Sequence, residues 1–400
     1  MERFTRMIPK ANLPHLKNYK FHSGCSTPLD NILNLIWWNP ISNLVPYFVS
    51  PNVLTLMGAM SLLVMHYCIL AYVPGLESTA APAWLPLLIA ITTAVYMTLD
   101  GIDGKQARKL GVSSPLGQLL DHGVDAVVSV FYPYMCFTLF PNGYTIPMML
   151  LCCSSPIHVL CTVWRESEFQ TFVHTNGVVG VTETNLAMIG LQILYYYSRP
   201  YLYKKIGTVF GNHAIVIFVS RFFPRIVDLG SLIFYVILAL AYVEGMSGIV
   251  GLLRDTSHRR KYLTFICSAI AHVYPAYYMA YVLPSKSRII GCLFASTLCA
   301  VVCVNNIVCL LSRMPLRSIH WALIPHYVII MQYFGLGIMN KYGFAVKTLA
   351  HATLHKILLA GTIYGFTCIV YIFAKTISEI MEYLDIPLLT VRRGNRPKAS

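Results

Sequence analysis

Residues 99–127 read LDGIDGKQARKLGVSSPLGQLLDHGVDAV, and this stretch decides how the chain folds. Long apolar runs lie on both sides of it. Between them, residues 111–113 predict a turn, because Ser114 is a favourable N-cap residue and Pro115 suits the first position of a helix. The stretch therefore predicts two antiparallel helices joined by a short turn.

Four aspartates lie on this helix pair. Asp100 and Asp103 share one face of the first helix, and Asp121 and Asp125 share one face of the second. A single carboxylate in the hydrocarbon of a bilayer costs at least about 2.5 kcal/mol, so four of them in so short a stretch need a cation. Oxygen ligands suit hard ions such as Mg²⁺, Mn²⁺ or Ca²⁺. We therefore expect the four side chains to face one wet cleft and to bind two metal ions, an arrangement that serves phosphoryl displacement.

Small and basic residues accompany the aspartates. Gly104 and Ala107 fall on the aspartate face of the first helix and leave room for a ligand beside it. Arg108 is placed to pair with a phosphate group, with Lys105 and Lys109 as further cations. A substrate that carries phosphate is therefore expected at this cleft.

The composition assigns the whole chain to the membrane. Its 400 residues are 56% hydrophobic and 12% charged, whereas a soluble domain carries about 25% charged residues. This excludes a soluble enzyme, a disordered chain and a small disulfide scaffold. Long unbroken apolar runs argue against a membrane barrel, which needs alternating apolar and polar residues. The sequence predicts an all-α, polytopic integral membrane protein, because helices satisfy their own backbone hydrogen bonds in lipid.

A helix that crosses a bilayer needs roughly 20 mainly apolar residues. Ten stretches qualify, at about 52–73, 83–104, 115–140, 145–164, 182–198, 227–250, 262–283, 288–311, 319–339 and 352–375. Residues 29–49, with Trp37 and Trp38, predict an N-terminal amphipathic helix at the membrane interface. The membrane topology of residues 199–226 stays open. The predicted parts are an N-terminal region (1–50), a catalytic core (51–226), additional membrane helices (227–385) and a basic cytosolic tail (386–400).

Basic residues set the expected orientation. The segments on the side of both chain ends carry about twice as many Lys and Arg residues as those on the other side. The positive-inside rule therefore places both termini and the aspartate cleft at the cytosolic side. These loops account for the formal net charge of +14, so nucleic acid is not an expected partner. Most of the twelve cysteines lie in apolar runs, where cysteine behaves as a small buried hydrophobic residue.

The aspartate region resembles the complete signature of the CDP-alcohol phosphotransferase family. The signature reads Asp100-x2-Asp103-Gly104-x2-Ala107-Arg108-x8-Gly117-x3-Asp121-x3-Asp125 in this chain. The preceding Pro51-Asn52-x2-Thr55 is similar to the opening of the first span in that family. The strings DGKQAR and SSPLGQLLDHG, and the ten-span length, resemble the eukaryotic choline/ethanolamine phosphotransferase branch.

This resemblance implies a reaction and a set of site residues. CDP-choline or CDP-ethanolamine would react with diacylglycerol to give phosphatidylcholine or phosphatidylethanolamine, releasing CMP. The four aspartates would bind two Mg²⁺ or Mn²⁺ ions. The residues that would line the CDP site are Asn52, Thr55, Gly104, Ala107, Arg108 and Gly117. The resemblance also implies a homodimer in endoplasmic reticulum or Golgi membranes, with membrane lipid around it.

Three residues are candidates for accepting the proton of the lipid hydroxyl. Asp125 is the usual candidate in the family, although binding a cation lowers the basicity of a carboxylate. Glu183 lies in GVVGVTETN and resembles a Val-Thr-Glu of the eukaryotic branch, but a residue at this position also caps a helix start. His122 follows Asp121 and either relays a proton or packs as a hydrogen-bonded histidine. The sequence leaves this choice open.

Two other functions stay open as alternatives. Another reaction of the same family would use inositol or glycerol phosphate as the acceptor, but the ten-span length favours the choline/ethanolamine branch. A cation-coupled transporter built from inverted repeats would carry a counterpart of the motif in a second half of the chain. No such counterpart is visible in the sequence.

Overall fold

A computed structural model describes residues 6–74, 81–139, 146–202, 204–211, 228–239, 285–317, 320–343 and 350–391, with residues 213, 221, 262, 263 and 283. Within these ranges, residues 20, 23, 25, 173, 174, 176, 234 and 238 are outside the description.

The helices of the described residues are, in chain order, α1 (Pro14–Lys17), α2 (Pro28–Leu33), α3 (Asn39–Leu44), α4 (Pro51–Tyr72), α5 (Leu85–Leu110), α6 (Pro115–Phe131), α7 (Ile146–Phe169), α8 (Val181–Leu202), α9 (Ile206–Phe210), α10 (Ser285–Leu311), α11 (Ile324–Lys341) and α12 (His351–Leu384). A π-helix (Asn34–Trp38) joins α2 to α3, and 3-10 helices occupy Lys10–Asn12, Tyr132–Leu139 and Trp321–Leu323.

The described residues confirm the all-α prediction, since they form helices and no β-strand. Four of their helices are long and apolar enough to cross a membrane, namely α4, α5, α12 and the Ser287–Leu311 part of α10. Helix α6 ends at Phe131, so the predicted span 115–140 divides into α6 and a 3-10 helix. The predicted spans 227–250 and 262–283 lie largely outside the described residues. The count of ten spans therefore stays a prediction.

The turn between α5 and α6 has the predicted form. Gly111 follows α5 with a φ of 64°, a left-handed conformation that glycine adopts without a Cβ clash. The Ser114 hydroxyl accepts a hydrogen bond from the backbone N–H of Gly117 (3.2 Å), and Pro115 begins α6. The last turn of α5 and the first turns of α6 therefore meet at one end of the bundle.

Helix α10 lies at the centre of the bundle. It packs against α6, α7 and α12, and its most apolar 18-residue window is completely buried inside the protein. Its Cys292, Cys299 and Cys303 are buried thiols that form no disulfide among the described residues, as predicted. Because α10 comes from region 227–385 and packs on helices from 51–226, these two predicted parts share one core.

Helix α5 is held from three sides. It packs against α4, α8 and the short helix α3. Lys109, near the end of α5, donates from Nζ to the backbone carbonyls of Ser42 (3.0 Å) and Val45 (2.8 Å). Its ammonium also lies 4.6 Å from the centroid of the Tyr47 ring. Lys109, expected as a phosphate-binding cation, instead satisfies the carbonyls at the end of α3, because the packing of α3 brings them within its reach.

Residues 28–44 of the predicted interfacial segment 29–49 form one uninterrupted helical run, in which the π-helix Asn34–Trp38 joins α2 to α3. Several of its large apolar side chains are exposed, with Leu35 at 74% and Leu44 at 81% of full exposure. Such exposure is compatible with contact to lipid, and the interfacial placement stays a prediction.

The two ends of the described chain are packed into the bundle. The backbone N–H groups of Met7 and Ile8 donate to the buried carboxylate of Glu379 on α12 (2.9 and 2.8 Å). After α12, the side chains of Ile386 and Leu388 pack against the hydrophobic core. Residues 386–388 are therefore half-buried, whereas Leu389 and Thr390 are exposed, and the basic cytosolic tail stays a prediction.

Candidate active site

Three aspartates converge where α5 ends and α6 begins. One carboxylate oxygen each from Asp100, Asp103 and Asp121 lies within 4.8 Å of the others. Asp103 is buried, and the other two are half-buried. No Lys or Arg of the described ranges is ion-paired with these three carboxylates. A cluster of hard oxygen ligands without a basic partner fits a divalent cation.

Asp125 takes a different place from the one expected. Its carboxylate accepts a hydrogen bond from the hydroxyl of Tyr96 on α5, and its oxygens are not among the three that come together. It lies one turn after Asp121 on α6, and its charge still interacts with that of Asp100. The structure therefore brings three of the four predicted metal ligands together and leaves the fourth at the edge of the cluster.

The start of α4 forms one wall of the site. Thr55 donates from its hydroxyl to the carboxylate of Asp103. Asn52 lies beside Gly117, with its Oδ1 atom 3.6 Å from the position that a Cβ on Gly117 would take. Asn52 also donates from Nδ2 to the backbone carbonyl of Leu388 (2.7 Å). Three predicted CDP-site residues thus lie around the aspartates, and the segment after α12 reaches them.

Arg108 and Gly104 lie together on the last turns of α5. The guanidinium of Arg108 covers Gly104, with Nη1 3.4 Å from the position that a Cβ would take there. Arg108 is exposed, and Ala107 is half-buried. The room that the sequence predicts beside Gly104 is therefore occupied by the arginine head group, because its side chain folds back by one helical turn.

His122 lies in a buried polar cluster next to the aspartates. Its Nδ1 atom is 3.5 Å from Oε2 of Glu166 on α7, and the amide nitrogen of Gln118 is 2.6 Å from its Nε2 atom. The ring packs on Phe172, with 4.2 Å between the centroids. The imidazole therefore has a carboxylate partner and lies close to the metal-ligand cluster.

Glu183 lies in the first turn of α8. Its Oε2 atom accepts a hydrogen bond from the backbone N–H of Gly180 (2.8 Å). Its Oε1 atom is buried and makes no hydrogen bond within the described residues. The capping interaction that the sequence left as an alternative is therefore present.

Three contacts of this site were missed by sequence reasoning. Tyr96 precedes Asp100 by four residues, so helical spacing was the available signal that it lies on the aspartate face. Glu166 lies near the end of α7, and nothing in its sequence neighbourhood links it to His122. Leu388 contacts the site through its backbone carbonyl, which carries no sequence signal. These last two contacts depend on how α7 and α12 pack.

The fold and the site together define a class of protein. It is a helical membrane protein whose adjoining helix ends carry a carboxylate cluster suited to a hard cation and flanked by an exposed arginine. Residues 48–245 match the family described as CDP-alcohol phosphatidyltransferase. This range contains all four aspartates, Asn52, Arg108, His122 and Glu183.

Known proteins are similar to part of this chain. An uncharacterized CDP-alcohol phosphatidyltransferase class-I family protein of Schizosaccharomyces pombe is 32% identical over 185 residues, covering 46% of this chain and 47% of the relative. Cholinephosphotransferase 1 of Xenopus laevis is 31% identical over 182 residues (45% and 44%). Human Ethanolaminephosphotransferase 1 is 34% identical over 144 residues (34% and 36%). The chain spans about half or less of the length of the curated relatives it matches.

The chain belongs to the CDP-alcohol phosphotransferase family. Its apolar helices are those of an integral membrane protein. The family uses divalent metal ions, and the aspartate cluster is the part of the described structure that can bind them.

Proposed function

We propose that the protein transfers the phosphoethanolamine or phosphocholine group of a CDP-alcohol to diacylglycerol. The products are phosphatidylethanolamine or phosphatidylcholine, together with CMP. The observation that carries the proposal is the cluster of Asp100, Asp103 and Asp121, bordered by Thr55 and Asn52. Similarity to a cholinephosphotransferase and an ethanolaminephosphotransferase supports the two head groups.

The aspartates are the proposed ligands of two Mg²⁺ or Mn²⁺ ions. Asp100, Asp103 and Asp121 would hold them, with Asp125 as the remaining ligand. When bound, such ions neutralise the pyrophosphate and stabilise the entering and leaving oxygens. Thr55 fixes the orientation of Asp103 by its hydrogen bond, so that this carboxylate is held ready before the ions bind.

The nucleotide end of the substrate has its own proposed partners. The exposed guanidinium of Arg108 lies on the last turns of α5, where it can donate two hydrogen bonds to a phosphate. Asn52 offers a side-chain amide on the opposite wall, and Gly117 adds no side chain that would block the approach. Ala107 and Gly104 complete this lining. The CDP group would thus lie between α4 and the end of α5.

The transfer step requires one bond to form and one to break. The hydroxyl oxygen of diacylglycerol attacks the β-phosphorus and forms a new P–O bond, while the bond from this phosphorus to the bridging oxygen breaks and CMP leaves. The hydroxyl proton needs a positioned acceptor, because a neutral hydroxyl is a poor nucleophile.

We propose that His122 accepts this proton. Its Nδ1 faces Glu166 at 3.5 Å, and this carboxylate would stabilise the imidazolium that results. The accepting nitrogen would be Nε2, which lies 2.6 Å from the amide nitrogen of Gln118. The other two candidates are less suited. Asp125 is a proposed metal ligand, which lowers its basicity, and Glu183 caps the start of α8 by accepting the backbone N–H of Gly180.

The proposal includes a cellular setting. The aspartate site and both chain ends would face the cytosol, as the charges of the loops predict. The membrane would be that of the endoplasmic reticulum or Golgi, and the protein would be a homodimer with about ten spans. Diacylglycerol would reach His122 from within the bilayer.

A comparison of CDP-ethanolamine with CDP-choline tests the proposal directly. The purified protein in vesicles with diacylglycerol and Mg²⁺ is expected to release CMP from one or both, and EDTA is expected to stop the release. The assay has no ion gradient, so CMP release distinguishes an enzyme from a cation-coupled transporter. Release with inositol or glycerol phosphate and CDP-diacylglycerol, but with neither CDP-alcohol, would contradict the proposed substrates.

A further inference from the structure

The N-terminal segment, residues 6–24, runs across the polar cluster that holds His122. Its first part is fixed to α12 by the backbone hydrogen bonds to Glu379. Its last part pairs with the chain after α7, since the N–H of Gly24 donates to the carbonyl of Phe172 (2.7 Å). Phe172 is the residue whose ring packs on His122. The segment is therefore anchored on both sides of the site.

Tyr19 lies between these two anchors and reaches the site with its hydroxyl. The hydroxyl donates to Oε1 of Glu166 (3.2 Å). The second oxygen of this carboxylate, Oε2, is buried, makes no hydrogen bond within the described residues, and faces Nδ1 of His122 at 3.5 Å. One carboxylate thus connects the tyrosine on one side with the imidazole on the other.

The surroundings keep this tyrosine a hydrogen-bond donor. Burial, and then the charge of Glu166, raises the pKa of Tyr19 well above its ordinary value. The hydroxyl therefore stays protonated at neutral pH. The carboxylate of Glu166 has no other described hydrogen-bond partner that would fix its rotation, since its remaining contact is with His122.

We propose that Tyr19 is a positioning residue of the phosphotransfer site, which holds the carboxylate of Glu166 so that Glu166 orients the imidazole of His122. The inference rests on the proposed function, in which His122 accepts the proton. The physical basis is that a base works best when its partner is itself fixed by a hydrogen bond. A tyrosine that only filled space would do so with its ring, and phenylalanine would replace it without loss.

Tyr19→Phe is the test, because it removes one oxygen and keeps the ring. With CDP-ethanolamine, diacylglycerol and Mg²⁺, kcat is expected to fall about tenfold, the effect of losing one hydrogen bond to a charged group. The KM for CDP-ethanolamine and the melting temperature in detergent are expected to stay unchanged. Tyr67→Phe is the matched control, since Tyr67 is 73% exposed on α4 and should keep full activity.

A second variant separates positioning from packing. Glu166→Gln keeps the size of the side chain but removes the charge that faces His122, so kcat is expected to fall further than in Tyr19→Phe. In the Glu166→Gln background, Tyr19→Phe should have little additional effect, because its partner no longer orients the imidazole.

The outcomes distinguish the inference from the proposed function. If the wild-type protein is active and Tyr19→Phe has the same kcat, the role of Tyr19 is overturned and the proposed function is not. The role of Tyr19 is also overturned if Tyr19→Phe lowers kcat by the same factor in the Glu166→Gln background as in the wild type. The same holds if the loss of kcat in Tyr19→Phe parallels a lower melting temperature. A wild-type protein that transfers neither head group overturns the proposed function and the role of Tyr19 with it.

Discussion

Asp121→Asn removes one charge from the aspartate cluster and keeps the shape of the side chain. At the limiting separation of 4.8 Å between ligand oxygens, two charged carboxylates repel each other by roughly 3 kcal/mol at an effective dielectric constant of about 20. Asp121 takes part in two such pairs, and their oxygens lie no farther apart than this, so the variant removes at least roughly 6 kcal/mol of repulsion between charged carboxylates that a cation otherwise offsets. Two opposite effects on stability follow from this.

Without divalent ions, Asp121→Asn is expected to melt at a higher temperature than the wild type, because its cluster carries less like charge. With ions, the order is expected to reverse. The wild type should gain stability from Mn²⁺ by mass action, whereas the variant should bind Mn²⁺ at least about 100-fold more weakly, since it has lost a charged ligand. Transfer activity should be lost.

The assay is a titration of the purified protein with Mn²⁺, followed by the paramagnetic signal of the free ion, alongside melting curves with and without Mn²⁺. Asp228→Asn is the matched control. Asp228 caps a helix start by accepting the N–H of Ser231 (2.7 Å), which Asn does equally well. Equal Mn²⁺ affinity in the wild type and Asp121→Asn, or a wild type that no divalent ion stabilises, would refute the metal assignment.

Three further variants test other parts of the site. Arg108→Ala should raise the KM for CDP-ethanolamine about tenfold or more by removing a charged hydrogen-bond donor, with Arg313→Ala as a control; an unchanged KM would exclude a phosphate contact. Ending the chain after residue 385 should raise the same KM, because Asn52 loses the Leu388 carbonyl. Ending it after residue 391 keeps this contact and should leave the KM unchanged. Equal KM values for the two truncated chains would show that the contact is unimportant. Glu183→Gln should lower stability slightly and retain most of the kcat, because the amide oxygen of Gln can still accept the hydrogen bond from the backbone N–H of Gly180. Loss of kcat at unchanged stability would make Glu183 the proton acceptor instead of His122.

The local structure of the site followed from the sequence. Gly111, Ser114 and Pro115 form the predicted turn because each acts through its own backbone or the next three residues. The i, i+3 spacing also placed Asp100 and Asp103 on one face of α5, and the turn into α6 brought Asp121 beside them. Such short-range geometry is set by the helix itself, so a reader of the sequence can obtain it without knowing the fold.

The contacts that refine the site depend on packing between distant segments. Asp125 accepts a hydrogen bond from Tyr96, and Lys109 reaches carbonyls at the end of α3. The residue spacing within α5 and α6 could not establish either contact, because a side chain has several rotamers and the neighbouring helix selects one.

The sequence by itself determined that this is a helical membrane protein with a carboxylate site at one helix turn, because hydrophobicity and helical periodicity are local properties of the chain. Only the tertiary structure joined Tyr19, Glu166 and His122, which lie on three segments separated by up to 147 residues. It also brought the backbone carbonyl of Leu388 to Asn52. These contacts arise from the shape complementarity of the whole bundle around α10, and that complementarity has no period or motif in the sequence.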